Sequence, residues 1–308
     1  MILSIILLIV GFTLLVKGAD FFVEGASALA LKLKSPQIII GLTIVAMGTS
    51  APEAGVSITS AIKGIEGIAI GNVIGSNIAN VLLILGVTGV ITALPLQKNT
   101  IKYEIPFTCF ISGLMLLMGY YFHSITRMCA LVFILLFIVF LIYLLKIAKN
   151  VEEVSESASK LSVIKIILFI IIGILGLIYG SDFTVNSAID IAHRIGVSDR
   201  IIGLTIVAFG TSLPERVTCI IAGIKKQADL AIGNIVGSNI FNILFVLGLT
   251  GIIKPIKFDS AFYTDGLIML FSIILLFIYT VKKQRLSRLQ GISFLLFYAA
   301  YMIFAVTK

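Results

Sequence analysis

The sequence predicts an all-α polytopic membrane protein, in which ten transmembrane helices form two inverted-topology repeats of five. Two observations predict this class: the composition and an internal duplication. Apolar residues make up 59% of the 308-residue chain and charged residues only 12%, far from the roughly 45–50% and about 25% of soluble domains. This composition argues against a water-soluble enzyme, a nucleic-acid-binding protein and a receptor with a folded ectodomain.

Apolar runs separated by polar or charged clusters give the ten candidate spans, because a span needs about 20 apolar residues. They are residues 2–31, 36–62, 68–92, 103–122, 128–145, 163–192, 198–224, 230–253, 258–281 and 289–306. A polar stretch separates the fifth span from the sixth. We therefore divide the chain into an N-terminal repeat (1–148), a cytoplasmic linker (149–162) and a C-terminal repeat (163–308).

The distribution of Lys and Arg orients these spans, because cytoplasmic loops carry an excess of positive charge. The loops after odd-numbered spans hold fourteen Lys and Arg residues, and the other side holds seven. The odd-numbered loops are therefore predicted to be cytoplasmic. With ten spans, both termini are then extracellular, and the protein is predicted to lie in the cell membrane.

The duplication is visible at one constant offset of 162 residues. Residues 39–53 match residues 201–215 at thirteen of fifteen positions, and residues 69–80 match residues 231–242 at nine of twelve. Because each unit has an odd number of spans, the second unit must enter the membrane from the opposite side. Inverted repeats of this kind are typical of secondary transporters, whose substrate site lies near the bilayer midplane where the repeats meet.

Two acidic residues occupy equivalent positions in the repeats, Glu53 and Glu215, each within an apolar run. An ionisable group at such a depth costs ~2.5–3.5 kcal/mol on insertion scales, so this pair indicates a function. Two carboxylates that meet in a low-dielectric setting need a cation between them or a bound proton. A hard cation with oxygen ligands, such as Ca²⁺, meets that need.

Each glutamate follows a Gly-Thr-Ser segment and a proline, and this pattern predicts broken helices at spans 2 and 7. Pro52 and Pro214 lack a backbone N–H and clash with the carbonyl four residues earlier. Irregular backbone at that depth is tolerated only where it lines a cavity or is buried in protein. We expect the breaks to free the carbonyls of Ala46, Thr49, Ala208 and Thr211.

Two further acidic residues, Asp20 and Asp182, lie within spans 1 and 6 and receive structural or pathway roles. Lys17 can pair locally with Asp20, three residues later, and Asp182 is the equivalent of Asp20 in the second repeat. Arg216 directly follows Glu215. Because one helical step is about 100°, we expect the Arg216 side chain to point away from the site and extend towards the cytoplasm.

With Gly-Thr-Ser-Ala-Pro-Glu at 48–53, Gly-Thr-Ser-Leu-Pro-Glu at 210–215 and two Gly-Ser-Asn-containing motifs, the chain resembles the cation/Ca²⁺ antiporter superfamily. It is most similar to the prokaryotic sodium/calcium exchangers, and the resemblance covers all ten spans. It implies that spans 1 and 6 slide across an eight-helix core to give alternating access. It further implies electrogenic exchange of Na⁺ for Ca²⁺ at one shared site.

The resemblance also implies a role for each matching residue. Ca²⁺ would be bound by Glu53, Glu215, Thr49 and Thr211. The Na⁺ sites would use these four residues and also Ala46, Ser50, Ser76, Ala208, Ser212 and Ser238. Asn80 and Asn242 would line the centre of the site.

The remaining expectations concern partners and rival functions. The substrates would be Na⁺ and Ca²⁺ within a lipid bilayer, with no cofactor, no nucleic acid and no protein partner. Several family members, including K⁺-dependent exchangers and some microbial homologues, carry Asp where Asn242 stands, so the resemblance favours K⁺-independent transport. An H⁺/Ca²⁺ exchanger or a K⁺-dependent Na⁺/Ca²⁺ exchanger is the nearest rival. A passive channel would conduct without coupling, and an enzyme is not expected because the chain lacks a nucleophile–base constellation.

Overall fold

The computed structural model describes residues 2–62, 66–149, 161–195, 210 and 212–307, and helices account for most of them. The helices of the first half are α1 (Ile2–Lys32), α2 (Gln37–Thr49), α3 (Ala51–Ile62), α4 (Gly67–Ile91), α5 (Thr100–Phe122) and α6 (Arg127–Lys149). Those of the second half are α7 (Val163–Arg194), α8 (Leu213–Ile224), α9 (Ala228–Ile253), α10 (Ala261–Val281) and α11 (Arg288–Thr307).

Eight of these helices are long and apolar enough to cross a membrane, and the bent pair α2–α3 makes nine, counting only the ranges given above. The chain is therefore a multi-pass membrane protein. Most of the first half of predicted span 7, from residue 198 to residue 209, lies outside the described residues. So does most of the predicted linker, from residue 150 to residue 160.

Four two-residue strands connect loops of the two halves. They are β1 (Leu94–Pro95), β2 (Ser124–Ile125), β3 (Ile256–Lys257) and β4 (Arg285–Leu286). β1 pairs antiparallel with β4, and β2 pairs antiparallel with β3. The facing side chains of Leu94 and Leu286, like those of Ile125 and Ile256, are fully buried. Each ribbon thus fixes a loop of one half against a loop of the other.

The chain bends by 48° between α2 and α3, within the segment of predicted span 2. Ser50, the residue between them, has φ −86° and ψ 8°, which is outside the helical range. Pro52 follows in the first turn of α3, where its missing N–H removes a helical hydrogen bond. Ser212 has the same backbone form before α8, with φ −92° and ψ 15°.

Small residues let the central helices approach one another closely. α1 and α7 pack along their lengths, and a Cβ atom on Gly18 would lie 2.8 Å from the backbone of Gly176. α2 packs on α9, where a Cβ atom on Gly237 would lie 2.7 Å from the Cα atom of Leu42. Such distances exclude any larger side chain, as in other membrane helix pairs. These contacts bring the backbone near Ser50 against α9.

Candidate cation site

The two glutamates begin the helices that follow the two Gly-Thr-Ser segments. Glu53 is the third residue of α3, Glu215 is the third residue of α8, and each is only 1% exposed. The first turn of a helix favours a carboxylate because of the helix dipole. The two carboxylates lie close enough to interact electrostatically. The structure thus brings together the two residues that the repeat singled out.

Two serine pairs join the Gly-Thr-Ser segments to α9 and α4. Ser50 Oγ lies 2.8 Å from Glu215 Oε1 and 2.9 Å from Ser238 Oγ. Because a hydroxyl has one proton, we assign Ser50 as the donor to the carboxylate and Ser238 as the donor to Ser50. The equivalent pair, Ser212 and Ser76, has an Oγ–Oγ distance of 3.3 Å.

Four buried asparagines bond across the two halves in a nearly symmetric pattern. Asn80 donates from Nδ2 to Asn239 Oδ1 at 2.9 Å, and Asn242 donates to Asn77 Oδ1 at 3.1 Å. Asn77 also donates to the Asn239 carbonyl at 3.3 Å. These hydrogen bonds fix the orientation of the Asn80 and Asn242 amide groups, because each Nδ2 donates to an asparagine of the opposite half.

Asn80 and Asn242 begin or lie within π-helical turns, Ala79–Ile84 of α4 and Asn242–Val246 of α9. Turns of this type occur frequently at functional sites. The turn of α4 packs on α8, and the turn of α9 packs on α3. Each asparagine turn therefore contacts the helix that carries the glutamate of the opposite half.

Five buried oxygen atoms of these residues have no hydrogen-bond partner among the described residues. They are Glu53 Oε1, Glu53 Oε2, Glu215 Oε2, Asn80 Oδ1 and Asn242 Oδ1. All five are acceptors when the carboxylates are ionised. Buried acceptors without donors are costly unless a cation or a proton meets them. The set of carboxylate, amide and hydroxyl oxygens is the type that Na⁺ and Ca²⁺ prefer.

Two residues of the predicted site, Ala46 and Thr49, lie in α2. Thr49 is buried, and its hydroxyl lies 3.0 Å from Asn234 Oδ1. Ala46 departs from the prediction: its carbonyl is not freed by the break, because it accepts the Ser50 N–H at 3.0 Å. The helical pattern thus persists up to Ser50. The equivalent residues Ala208 and Thr211 lie outside the described residues.

Arg216 is half-buried, and its positive charge interacts with Glu53, Glu215 and Tyr298 of α11. The helical step of about 100° turns its side chain away from the Glu215 carboxylate. A positive charge therefore lies near both carboxylates.

Asp20 also has a different partner from the one predicted. Its carboxylate lies 2.5 Å from the ammonium group of Lys225, which directly follows α8, rather than pairing with Lys17 on its own helix. The Lys225 ammonium also donates to the Asp20 carbonyl at 3.2 Å. Local spacing cannot reveal this ion pair, because it depends on how α1 packs on α8.

Sequence reasoning gave no site role to the asparagines that orient the others. Asn77 and Asn239 hold Asn242 and Asn80, while Asn234 accepts from Thr49. Asn72, the repeat equivalent of Asn234, donates to Ser57 Oγ at 3.0 Å and to the Glu53 carbonyl at 3.1 Å. The same residue type, asparagine, occurs at these positions in both repeats. That recurrence could have indicated a structural role, because a buried amide needs a hydrogen-bond partner.

The chain is similar to several known membrane proteins along almost its whole length. It is 38% identical over 316 residues to CaxA of Alkalimonas amylolytica, with 98% of both chains covered. It is 33% identical over 342 residues to the sodium/calcium exchanger MaX1 of Methanosarcina acetivorans, with 97% of both chains covered.

Among solved structures, the sodium-calcium exchanger NCX_Mj has the same fold. One of its structures superposes with a TM-score of 0.88 at 30% sequence identity, covering 100% of this chain and 99% of that one. The model of the sodium/calcium exchanger protein family matches residues 3–146 and 165–307. The two matched segments span both halves and both glutamates, and the chain therefore belongs to the sodium/calcium exchanger family.

Proposed function

We propose that the protein is a secondary antiporter that exchanges Na⁺ for Ca²⁺ at one site around Glu53 and Glu215. One observation carries the proposal: buried carboxylate and amide oxygens without donors converge from both halves within the described residues. The names of MaX1 and NCX_Mj, both sodium/calcium exchangers, support the choice of ions.

The proposed ligands follow from charge and oxygen type. Ca²⁺ is bound by Glu53, Glu215, Thr49 and Thr211. The Na⁺ ions use Ala46, Thr49, Ser50, Glu53, Ser76, Ala208, Thr211, Ser212, Glu215 and Ser238, with Asn80 and Asn242 lining the site. Ala46 would contribute the second lone pair of its carbonyl oxygen, since the first accepts the Ser50 N–H. The two carboxylates balance the charge of one Ca²⁺. Because the proposed Na⁺ ligands include the same two carboxylates, Na⁺ and Ca²⁺ compete for these oxygens. That competition couples the two ions.

The topology that we propose has ten spans in two inverted halves, 1–148 and 163–308, joined by a cytoplasmic linker at 149–162. Both termini face outward. The strand pairs support this arrangement of spans, because two loops that pair with each other must lie on the same side of the membrane. In the proposed topology, β1 and β4 are both cytoplasmic, and β2 and β3 are both extracellular.

Alternating access requires that the two sides of the site close in turn. The packing supports this, since α1 lies along α8, whereas α7 makes hardly any contact with α3 within the described ranges. One side of the site is thus packed more tightly than the other. Sliding of α1 and α7 over the remaining helices would exchange these two arrangements.

The transport cycle that we propose is electrogenic and independent of K⁺. The site has two buried carboxylates, and Asn242 replaces the Asp found in K⁺-dependent exchangers. Its Nδ2 atom is bonded to Asn77, so it offers only a neutral carbonyl oxygen. A neutral ligand at this position removes the charge that an additional K⁺ would need.

The proposal is tested by ⁴⁵Ca²⁺ uptake into proteoliposomes that contain the purified protein. We expect uptake only with an outward Na⁺ gradient, unchanged when K⁺ is omitted and faster with an inside-positive potential. Glu53→Gln and Glu215→Gln should each lower uptake at least about 100-fold, because each removes one of the two charges that balance Ca²⁺. Asp259→Asn, at an exposed residue, is the matched control.

The same vesicles separate the rival functions. Uptake driven by a proton gradient without Na⁺ would indicate an H⁺/Ca²⁺ exchanger, and a strict requirement for K⁺ would indicate a K⁺-dependent exchanger. Ca²⁺ flux that ignores every opposing gradient would indicate a channel. Any of these three outcomes contradicts the proposal.

A further inference from the structure

A second buried carboxyl group lies outside the residues assigned to transport. Glu104 is 3% exposed and ends the π-helical turn Thr100–Glu104 at the start of α5. A single ionisable residue in a membrane helix is costly to keep unless it has a function.

The surroundings of Glu104 satisfy only one of its two oxygen atoms. Tyr143 of α6 donates its hydroxyl to Glu104 Oε1 at 2.6 Å. Glu104 Oε2 has no hydrogen-bond partner among the described residues, and neither has Thr100 Oγ1, which is 1% exposed. The Thr100 hydroxyl interacts with the carboxylate. Its oxygen and Glu104 Oε2 therefore lie close together, as two ligands of one cation would.

These oxygens line a cavity of about 50 Å³. A water molecule needs about 10–15 Å³ of such volume, so a cation with one or two waters fits. The polar lining residues are Gln97, Asn99, Thr100 and Glu104. Gln97 donates its amide to Asp229 Oδ2 at 2.7 Å, which leaves its carbonyl oxygen as an acceptor. Asn99 is exposed, so the cavity lies near the protein surface.

The charge balance selects a monovalent ion. Glu104 is the acidic residue of the lining, and the other polar groups are neutral. A divalent ion would leave a net positive charge in an apolar setting, which is costly. The nearby ammonium of Lys102 lies 5.2 Å from the centre of the Tyr103 ring. We therefore propose that Glu104, Thr100 and the amide carbonyl of Gln97 bind one alkali-metal cation.

The position of the cavity gives this cation a possible influence on transport. Its apolar wall includes Pro36, Ile38 and Leu42 of the α2 region, and Thr49 at the other end of α2 belongs to the proposed transport site. This part of the inference rests on the proposed function. If the loop before α5 is cytoplasmic, the bound cation reports the cytoplasmic Na⁺ or K⁺ concentration to α2.

The test is thermal unfolding of detergent-purified protein that carries both Glu53→Gln and Glu215→Gln, which disables the proposed transport site. NaCl or KCl is titrated against choline chloride at constant ionic strength. We expect a saturable rise of a few degrees in the Tm with one or both salts. Glu104→Gln in this background should abolish the rise, and Thr100→Val should weaken it.

The control variant is Glu24→Gln, at an exposed residue of α1, which should keep the full rise. A rise that survives Glu104→Gln would overturn the proposal, as would a Tm that responds to CaCl₂ alone. A Tm that ignores salt in the parent and is unchanged by Glu104→Gln would mean a protonated carboxyl group, and would also overturn it. These results do not depend on exchange, so failure here differs from failure of the ⁴⁵Ca²⁺ uptake test.

Discussion

The two halves of the molecule have nearly the same motifs but differ in how their long helices pack. α1 lies along α8, and Asp20 of α1 forms an ion pair with Lys225. In the other half, α7 hardly contacts α3 in the part of the chain that is described, and Asp182 accepts from Asn186 on its own helix at 2.9 Å. Two nearly identical sets of motifs thus adopt an asymmetric arrangement.

The halves also differ in charge near the site. Arg216 stands in the second half where the first half has Ala54. Ser50 donates to Glu215 Oε1, whereas both oxygens of Glu53 lack a hydrogen-bond partner among the residues described. The two carboxylates are therefore equivalent in sequence but not in environment.

The largest expected effect concerns the serines. Ser50→Ala should weaken the apparent affinity for Ca²⁺ in the uptake assay by about 10–100-fold, because a hydrogen bond to a charged group contributes about 1.5–3 kcal/mol. Ser212→Ala should have a smaller effect, since its hydroxyl interacts with Glu53 without a well-formed hydrogen bond and lies 3.3 Å from Ser76 Oγ. Equal effects of the two substitutions would contradict the asymmetry of the carboxylates.

An intermediate effect is expected at Arg216. Arg216→Gln removes a positive charge that interacts with both glutamates, and charges interact strongly at low dielectric. The substitution should therefore raise the apparent affinity for Ca²⁺ about tenfold. Arg216→Lys keeps the charge and should preserve the affinity, as should Ala54→Gln in the first half. An unchanged affinity in Arg216→Gln would mean that the guanidinium acts only in packing.

The smallest expected effect concerns the ion pair between α1 and Lys225. Asp20→Asn and Lys225→Met should each lower the Tm of the purified protein by about 2 °C, since a partly exposed pair contributes up to about 1 kcal/mol. The double variant should lose little more than either single one. Asp182→Asn, with its partner on the same helix, should leave the Tm within 1 °C. Strictly additive losses at Asp20 and Lys225 would exclude a direct pair.

Much of the membrane architecture follows from the residues alone. Glu53 and Glu215 were identified by their equivalent positions in apolar runs, and the bend at Ser50 follows from the missing N–H of Pro52. Both rest on local covalent chemistry or on counting along the chain. The partners of Asn80 and Asn242 do not, because the asparagines that hold them lie on the opposite half of the molecule.

Two sequence predictions are corrected by the structure, for different reasons. The Ala46 carbonyl remains hydrogen-bonded because the backbone keeps its helical turn as far as Ser50. Asp20 reaches Lys225 because α1 packs on α8, and local spacing cannot show which helices pack together.

The sequence by itself determined the class of protein, the duplicated unit and the two acidic residues at its centre, because composition and repetition are properties of the chain. Only the tertiary structure decided which oxygens remain without donors, which charges surround the carboxylates and which long helix packs along the opposite half. Those properties arise from contacts between distant helices, and two nearly identical motifs can make different contacts when the helices around them differ.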